Sequence, residues 1–169
     1  MAIVYLSIGS NKGDKVNYLH QAVSLIANSQ DIKLVRTSTF YDCEPWGNKE
    51  QDWFVNAAIE VNTTLSPKDF LLKMQNIEKQ LGRTKDESRP KWSEREIDID
   101  IVFWDNLIIN EENLKIPHPY AHKRAFVLVP LLELCPNFIH PVLKKSLLDL
   151  HEELDEPEEV FLYGTRIEE

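Results

Sequence analysis

Asp98 and Asp100 are separated by one isoleucine in the run Ile97-Asp98-Ile99-Asp100-Ile101. In a strand the isoleucines share one face and the two carboxylates the other, about 6.5–7 Å apart along the chain. Carboxylates at that spacing suit a pair of Mg²⁺ ions about 3.5–4 Å apart, the arrangement that clamps a phosphate during displacement. The same pattern also fits a half-exposed strand that turns its polar residues to water. Strands disfavour Asp, however, and two like charges on one face repel unless a cation joins them. Arg83, Lys85, Arg89, Lys91, Trp92 and Arg95 precede the pair, and His118, His122, Lys123 and Arg124 follow it. Acidic metal ligands bracketed by guanidinium groups that fork onto phosphate oxygens are what phosphoryl chemistry requires. Taken singly, each of these cations reads as a solvated charge. Trp92 has no apolar neighbours in sequence and reads as a group that closes over a ligand.

Phe54 and Asn56 form a second candidate pair. Phe54–Thr63 alternates, with Val55, Ala57, Ile59 and Val61 on one face and Phe54, Asn56, Ala58, Glu60 and Asn62 on the other. Phe54 either packs under the C-terminal segment or stacks on a flat ligand. Asn56 beside it offers both a donor and an acceptor to a heterocycle edge. Gly9-Ser10-Asn11 follows an apolar run, but no Gly-Lys-Ser/Thr comes after it, which excludes a Walker-type phosphate loop. Cys43 has no identifiable base partner and reads as structural.

The elements that must position these residues follow from periodicity. Ile3–Ile8 alternates as a strand, and Val16, Leu19, Val23 and Ile26 recur at helical spacing. Leu34–Tyr41 is rich in Val, Thr and aromatics and reads as one strand, which Glu44-Pro-Trp-Gly47 ends. Ser66-Pro67 opens a second helix as N-cap and first-turn proline, with Phe70, Met74, Ile77 and Leu81 as its buried stripe and Gly82 as its stop. A polar loop, 83–96, leads into the strand Ile97–Phe103, and residues 105–150 add a short strand pair and one or two helices. The order β-α-β-β-α-β predicts an α+β, ferredoxin-like sandwich. Its four-stranded antiparallel sheet is expected to carry helices on one face and the site on the other, with C-terminal strand and helix additions.

The chain has 169 residues, 43% hydrophobic and 28% charged, which is one ordinary domain. Of its formal net charge of −9, most lies in the segment from His151 to Glu169. We therefore divide the chain into a domain over 1–150 and an acidic tail over 151–169, which is expected to be solvated. The near-neutral body argues against a general nucleic-acid binder. No stretch reads as a membrane span or a secretory signal, and two cysteines suggest neither a disulfide framework nor a zinc site. A cytoplasmic monomer is the expectation. The rival from another class is an RNA-binding module, which shares the element order and stacks bases on an open sheet. Here that face carries Asp98 and Asp100, which repel a phosphate backbone unless metal-loaded. A regulatory small-molecule-binding domain of the same fold is a further alternative.

Six segments together resemble the 6-hydroxymethyl-7,8-dihydropterin pyrophosphokinase family: Tyr5-Leu-Ser-Ile-Gly-Ser-Asn11; Ser38-Thr-Phe-Tyr41 with Glu44-Pro-Trp-Gly47; Phe54-Val-Asn-Ala57; Ile77-Glu-Lys-Gln-Leu-Gly-Arg83; Arg95-Glu-Ile-Asp-Ile-Asp-Ile101; and Ile116-Pro-His-Pro119 with Arg124-Ala-Phe126. The resemblance implies transfer of a diphosphate group from Mg·ATP to the pterin's hydroxymethyl group, releasing AMP, in folate biosynthesis. It implies two Mg²⁺ ions on Asp98 and Asp100, with Arg83 and Arg95 joining them in catalysis. Phe54 and Phe126 match the aromatics that sandwich the pterin, and Asn56 with backbone groups around Cys43 and Trp46 matches its edge contacts. Gln75, Trp92, His118 and Arg124 match nucleotide, phosphate or loop-closing positions. Glu78 stands where the family keeps a carboxylate.

Overall fold

The computed structural model describes residues 1–47, 49–82 and 96–167. Its centre is a six-stranded antiparallel sheet. In chain order the first elements are β1 (Ala2–Ser10), α1 (Lys15–Ala27), β2 (Ile32–Thr37), β3 (Tyr41–Cys43), β4 (Phe54–Thr63) and α2 (Pro67–Gln80). There follow β5 (Asp98–Trp104), a small hairpin of β6 (Ile109–Glu111) and β7 (Leu114–Ile116), a 3-10 turn at Ala121–Lys123, α3 (Ala125–Leu134), α4 (Leu147–Glu152) and β8 (Val160–Leu162). Across the sheet the order is β5-β1-β4-β3-β8, with β2 also on β4 beyond one end of β3.

The helices start where their caps dictate. The Asp14 carboxylate accepts from Asn17 N at 3.2 Å to open α1, and Ser66 Oγ accepts from Asp69 N at 3.2 Å to open α2 ahead of Pro67. Gly82 closes α2 with φ +99°, a left-handed conformation that suits glycine. One core lies between the sheet and these two helices. It takes Leu6, Ile8, Ile59 and Val61 from the strands, Leu19 and Ile26 from α1, Phe70, Met74 and Ile77 from α2, and Ile97, Ile99 and Ile101 from the β5 segment.

The second face is not left open along its length. α3 lays Val127, Leu128 and Leu131 on it, forming a second core with Tyr5, Ala58, Val102, Phe103 and Leu147. The reason is visible in α3 itself, a nearly all-apolar helix that must bury more than one side. Among the described residues, the α3 core stops short of the end of that face near Gly9, Asn56 and Asp98.

Three expectations change. The segment 34–41 is two strands rather than one. Ser38 still meets β4, its N donating to Ala58 O and its Oγ accepting from Ala58 N, each at 2.8 Å. Glu133 on α3 then accepts from Thr39 N, Thr39 Oγ1 and Tyr41 Oη, which holds Thr39 and Phe40 off the β4 ladder. The alternation of β5 also ends early: a register shift opposite Tyr5 and Leu6 inserts Val102, so Val102 and Phe103 both enter the second core. Finally, the segment from His151 is not a solvated tail. α4 runs on to Glu152, β8 pairs with β3, and Glu158 is buried. β8 adds backbone hydrogen bonds at an edge that β3 alone leaves open, which composition does not register.

Candidate active site

Three antiparallel strands bring the two candidate pairs into one row. Gly9 on β1 is directly opposite Asn56 on β4 and Asp98 on β5, and Tyr41 on β3 is opposite Asn56. Two strand spacings, about 10 Å, therefore separate the Asp98 and Asn56 backbones. Gly9 is the floor between them. A Cβ built there would lie 2.3 Å from Asn56 Nδ2 and 3.6 Å from Phe54 Cδ2, so a side chain at this position would displace Asn56.

On the acidic side, Asp98 and Asp100 are half-buried on the second face while Ile97, Ile99 and Ile101 fill the first core. Glu78 holds the strand between them: its buried carboxylate accepts from Ile99 N at 2.8 Å. Gln75 sits one turn before Glu78 on α2, on the flank that faces β5. The half-buried carboxylates are hard oxygen donors on one strand face, a donor set that fits Mg²⁺. Among the described residues no group of three or more His, Cys, Asp or Glu gathers as a metal cage. The remaining ligands of such an ion would come from substrate phosphate and water.

On the aromatic side, Asn56 is 4% exposed and its Nδ2 donates to Ile8 O at 3.3 Å. Its Oδ1 is buried with no hydrogen-bond partner among the described residues, an acceptor set for a ligand N–H. Phe54 lies beside it, opposite Cys43 on β3. Cys43 is fully buried, its Sγ lies 3.7 Å from Tyr41 O, and burial pushes its thiol well up. It is no nucleophile; its backbone is what the strand offers.

Arg124 joins the two sides. Arg124 is 4% exposed, and its guanidinium lies 4.6 Å from the Trp46 ring centroid, 5.2 Å from Tyr120 and 5.5 Å from Phe126. Burial lowers its pKa, while the charges of Asp100, Glu158, Tyr120 and Asp98 raise it. It remains a cation among carboxylates. Sequence reasoning did not single out Tyr120, whose only signal was its place between His118 and Arg124. His118 is half-buried, and its Nδ1 accepts from Tyr120 N at 3.2 Å.

The turn after β1 braces both sides at once. Asn11, fully buried, donates to Gln51 Oε1 at 2.8 Å and Asp52 O at 3.1 Å, and Lys15 Nζ donates to Trp53 O at 2.7 Å. Lys12 pairs with Glu96 at 3.2 Å, two residues before Asp98. Gly9-Ser10-Asn11 thus positions the approaches to Phe54 and Asp98, a structural duty that its sequence did not disclose. The structure brings together Asp98, Asp100, Asn56, Phe54, Trp46, Arg124 and Phe126 at one end of the sheet. Arg83, Trp92 and Arg95 lie outside the described residues, as do Lys85, Arg89 and Lys91.

Residues 5–136 match the family model for 7,8-dihydro-6-hydroxymethylpterin-pyrophosphokinase. The chain is 40% identical over 153 residues to the 2-amino-4-hydroxy-6-hydroxymethyldihydropteridine pyrophosphokinase of Aquifex aeolicus, covering 90% of this chain and 92% of that one. A Bacillus subtilis protein of the same name is 39% identical over 133 residues, covering 79% and 78%. Among solved structures, wild-type Plasmodium falciparum HPPK-DHPS superposes with a TM-score of 0.70 at 18% identity, over 90% of this chain and 43% of that longer one. That likeness carries the fold, and the sequence match carries the family: the chain belongs to the 7,8-dihydro-6-hydroxymethylpterin-pyrophosphokinase family.

Proposed function

We propose that this chain transfers the β,γ-diphosphate of ATP to the hydroxymethyl group of 6-hydroxymethyl-7,8-dihydropterin and releases AMP. Family membership gives the activity as pyrophosphokinase chemistry on a hydroxymethyldihydropterin, a step of folate biosynthesis, with ATP as the co-substrate. Among the described residues no helix is long and apolar enough to cross a membrane. We place the chain in the cytoplasm as a single-chain enzyme.

The observation that carries the assignment of residues is the row Asp98–Gly9–Asn56. It sets a carboxylate pair and a heterocycle-reading amide side by side over a floor without a side chain. The pterin lies flat between Phe54 and Phe126, where stacking supplies most of its affinity. Asn56 Oδ1 accepts from the pterin edge, and backbone groups near Cys43 and Trp46 complete the edge contacts. The hydroxymethyl group then points along the row toward Asp98.

Asp98 and Asp100 would hold two Mg²⁺ ions, which would supply neutralisation of phosphate charge and polarisation of the β-phosphorus. The substrate oxygen bonds to the β-phosphorus, and the bond from that phosphorus to the α,β-bridging oxygen breaks, so AMP keeps the bridging oxygen. Asp98 is the nearest candidate to take the hydroxyl proton. Arg83 and Arg95 grip phosphate oxygens, with Gln75, His118 and Arg124 toward the nucleotide and Trp92 closing over it. Arg124, close to the charges of both aspartates, links nucleotide binding to the pterin pocket through Trp46 and Phe126. Incubating the protein with ATP and the reduced pterin tests the proposal: pterin diphosphate should form with Mg²⁺ and stop with a chelator. Product formation indifferent to chelation would remove the metal role from Asp98 and Asp100.

A further inference from the structure

The strand β8 lies beyond residue 136, where the family match ends, yet it forms part of the rim of the aromatic side. It pairs with β3 through Val160 opposite Cys43, Phe161 opposite Asp42 and Leu162 opposite Tyr41. The ladder continues past both ends: Glu44 N donates to Glu159 O at 2.9 Å, and Tyr163 N to Phe40 O at 2.9 Å. Phe161 stacks on Trp53 with centroids 6.2 Å apart, and the Arg166 guanidinium lies 3.9 Å from the same ring's centroid. Trp53 is the residue before Phe54.

One side chain of this segment departs from its acidic neighbours. Glu158 is 9% exposed, while Glu152, Glu153, Asp155, Glu156 and Glu159 are all exposed. A buried carboxylate is costly unless its oxygens are bonded. Glu158 Oε1 accepts from Phe126 N at 2.9 Å. Phe126 is the second residue of α3, whose N-cap position is Arg124 and carries no capping side chain, since a guanidinium has no acceptor. The first N–H groups of a helix lack intrahelical partners and sit at its positive end. A carboxylate delivered from 32 residues away supplies the cap that the local sequence omits.

We propose that Glu158 is a positioning residue for the pterin pocket: it caps α3 at Phe126 and so fixes the Phe126 ring, while β8 anchors Cys43 and Trp53 on the opposite wall. This rests on the assignment of Phe54 and Phe126 as the pterin's stacking partners. The segment from His151 is then part of the substrate site, and activity depends on it without any contact to the reacting atoms.

The test compares Glu158→Ala, Glu158→Gln, Phe126→Ala and the double variant Glu158→Ala/Phe126→Ala. The readouts are kcat, KM for 6-hydroxymethyl-7,8-dihydropterin, and binding of a non-hydrolysable ATP analogue by calorimetry. Losing a helix cap is expected to raise the pterin KM about tenfold in Glu158→Ala, with kcat within about twofold. A smaller loss of ATP-analogue affinity through Arg124, which the Glu158 charge also faces, should be shared by Glu158→Gln. Glu158→Gln keeps an acceptor oxygen and should reverse most of the rise in pterin KM. In the Phe126→Ala background, Glu158→Ala should add little, because it acts through that residue. An unchanged pterin KM in Glu158→Ala, equal rises in that KM in the Gln and Ala variants, or additive rises in the double variant would each overturn the role. Where Glu158→Ala does not fold, Glu158→Gln and the exposed-side variant Arg166→Ala, expected to raise the pterin KM about threefold, keep the test open. An unchanged KM in Phe126→Ala would instead sink the pocket assignment itself, a failure distinguishable from that of Glu158 alone.

Discussion

The acidic and aromatic sides of the site face each other across Gly9 and are built in opposite ways. The acidic side is one strand: Asp98 and Asp100 are aimed by the same alternation that buries Ile97, Ile99 and Ile101. Its supports, Glu78 on Ile99 N and Lys12 on Glu96, act at the neighbouring backbone and side chain. The aromatic side is gathered from four parts of the chain: Trp46 from a loop, Phe54 and Asn56 from β4, Arg124 and Phe126 from the start of α3, and the β8 segment behind them. Charge chemistry tolerates no error in ligand spacing, and a strand's fixed repeat provides it cheaply. A flat heterocycle needs two walls and an edge, and no single element offers those.

The comparison breaks most visibly at the aspartates. Asp98→Ala or Asp100→Ala should lower kcat by at least about 10³-fold, since each removes charge stabilisation that has no substitute. The thermal midpoint should fall only modestly, because relief of like-charge repulsion on the strand face offsets part of the attraction that each carboxylate gives the buried Arg124 cation. Turnover near normal at saturating Mg²⁺ in either variant would end the metal assignment.

Gly9→Ala attacks the floor between the sides. Its Cβ would fall 2.3 Å from Asn56 Nδ2, so Asn56 must move. A displacement near 1 Å is expected to lower kcat/KM for the pterin by about 10²-fold. A crystal structure of the variant with Asn56 in place and normal kinetics would contradict the close-packed row. Asn56→Ala, which removes the unpartnered acceptor itself, should raise the pterin KM by about tenfold and leave ATP-analogue affinity unchanged. Equal losses for both ligands would move Asn56 out of the pterin pocket.

The smallest effect on catalysis, and a separate one on stability, is expected at His140, away from both sides. His140 is buried, Val142 N and Leu143 N donate to its Nδ1 at 3.2 and 3.1 Å, and burial and His122 push its pKa down to about 4. The folded state therefore binds fewer protons than the unfolded one between the ordinary histidine value and about 4. Stability from this group is present above pH 6.5 and is lost as pH falls toward 4, by up to about 3 kcal/mol. Chemical denaturation across that range should show a shallower slope in His140→Gln, with kcat at neutral pH unchanged. Parallel slopes would exclude His140 as the source.

What the sequence disclosed follows the same division. The alternation in β4, that in β5 as far as Ile101, the Ser66-Pro67 helix start and the Gly82 stop are local signals, and each stands where the residues place it. The break at Thr39 was hidden because its cause is Glu133, on a helix 94 residues away. The bulge at Val102 leaves no mark in an apolar run, since Val and Phe suit either face. Tyr120 and Glu158 were passed over for a related reason. A tyrosine between prolines and basic residues, or one glutamate among many, acquires meaning only from what folds against it.

The most direct test of the assignment is the identity of the nucleotide product. Positioning the pterin hydroxyl along the Asp98–Gly9–Asn56 row should lead to attack on the β-phosphorus, whereas an ordinary kinase moves only the γ-phosphoryl group. With γ-labelled ATP and the reduced pterin, chromatography should give AMP in one-to-one ratio with a labelled pterin diphosphate. Stoichiometric ADP with a pterin monophosphate would contradict the reading of the site.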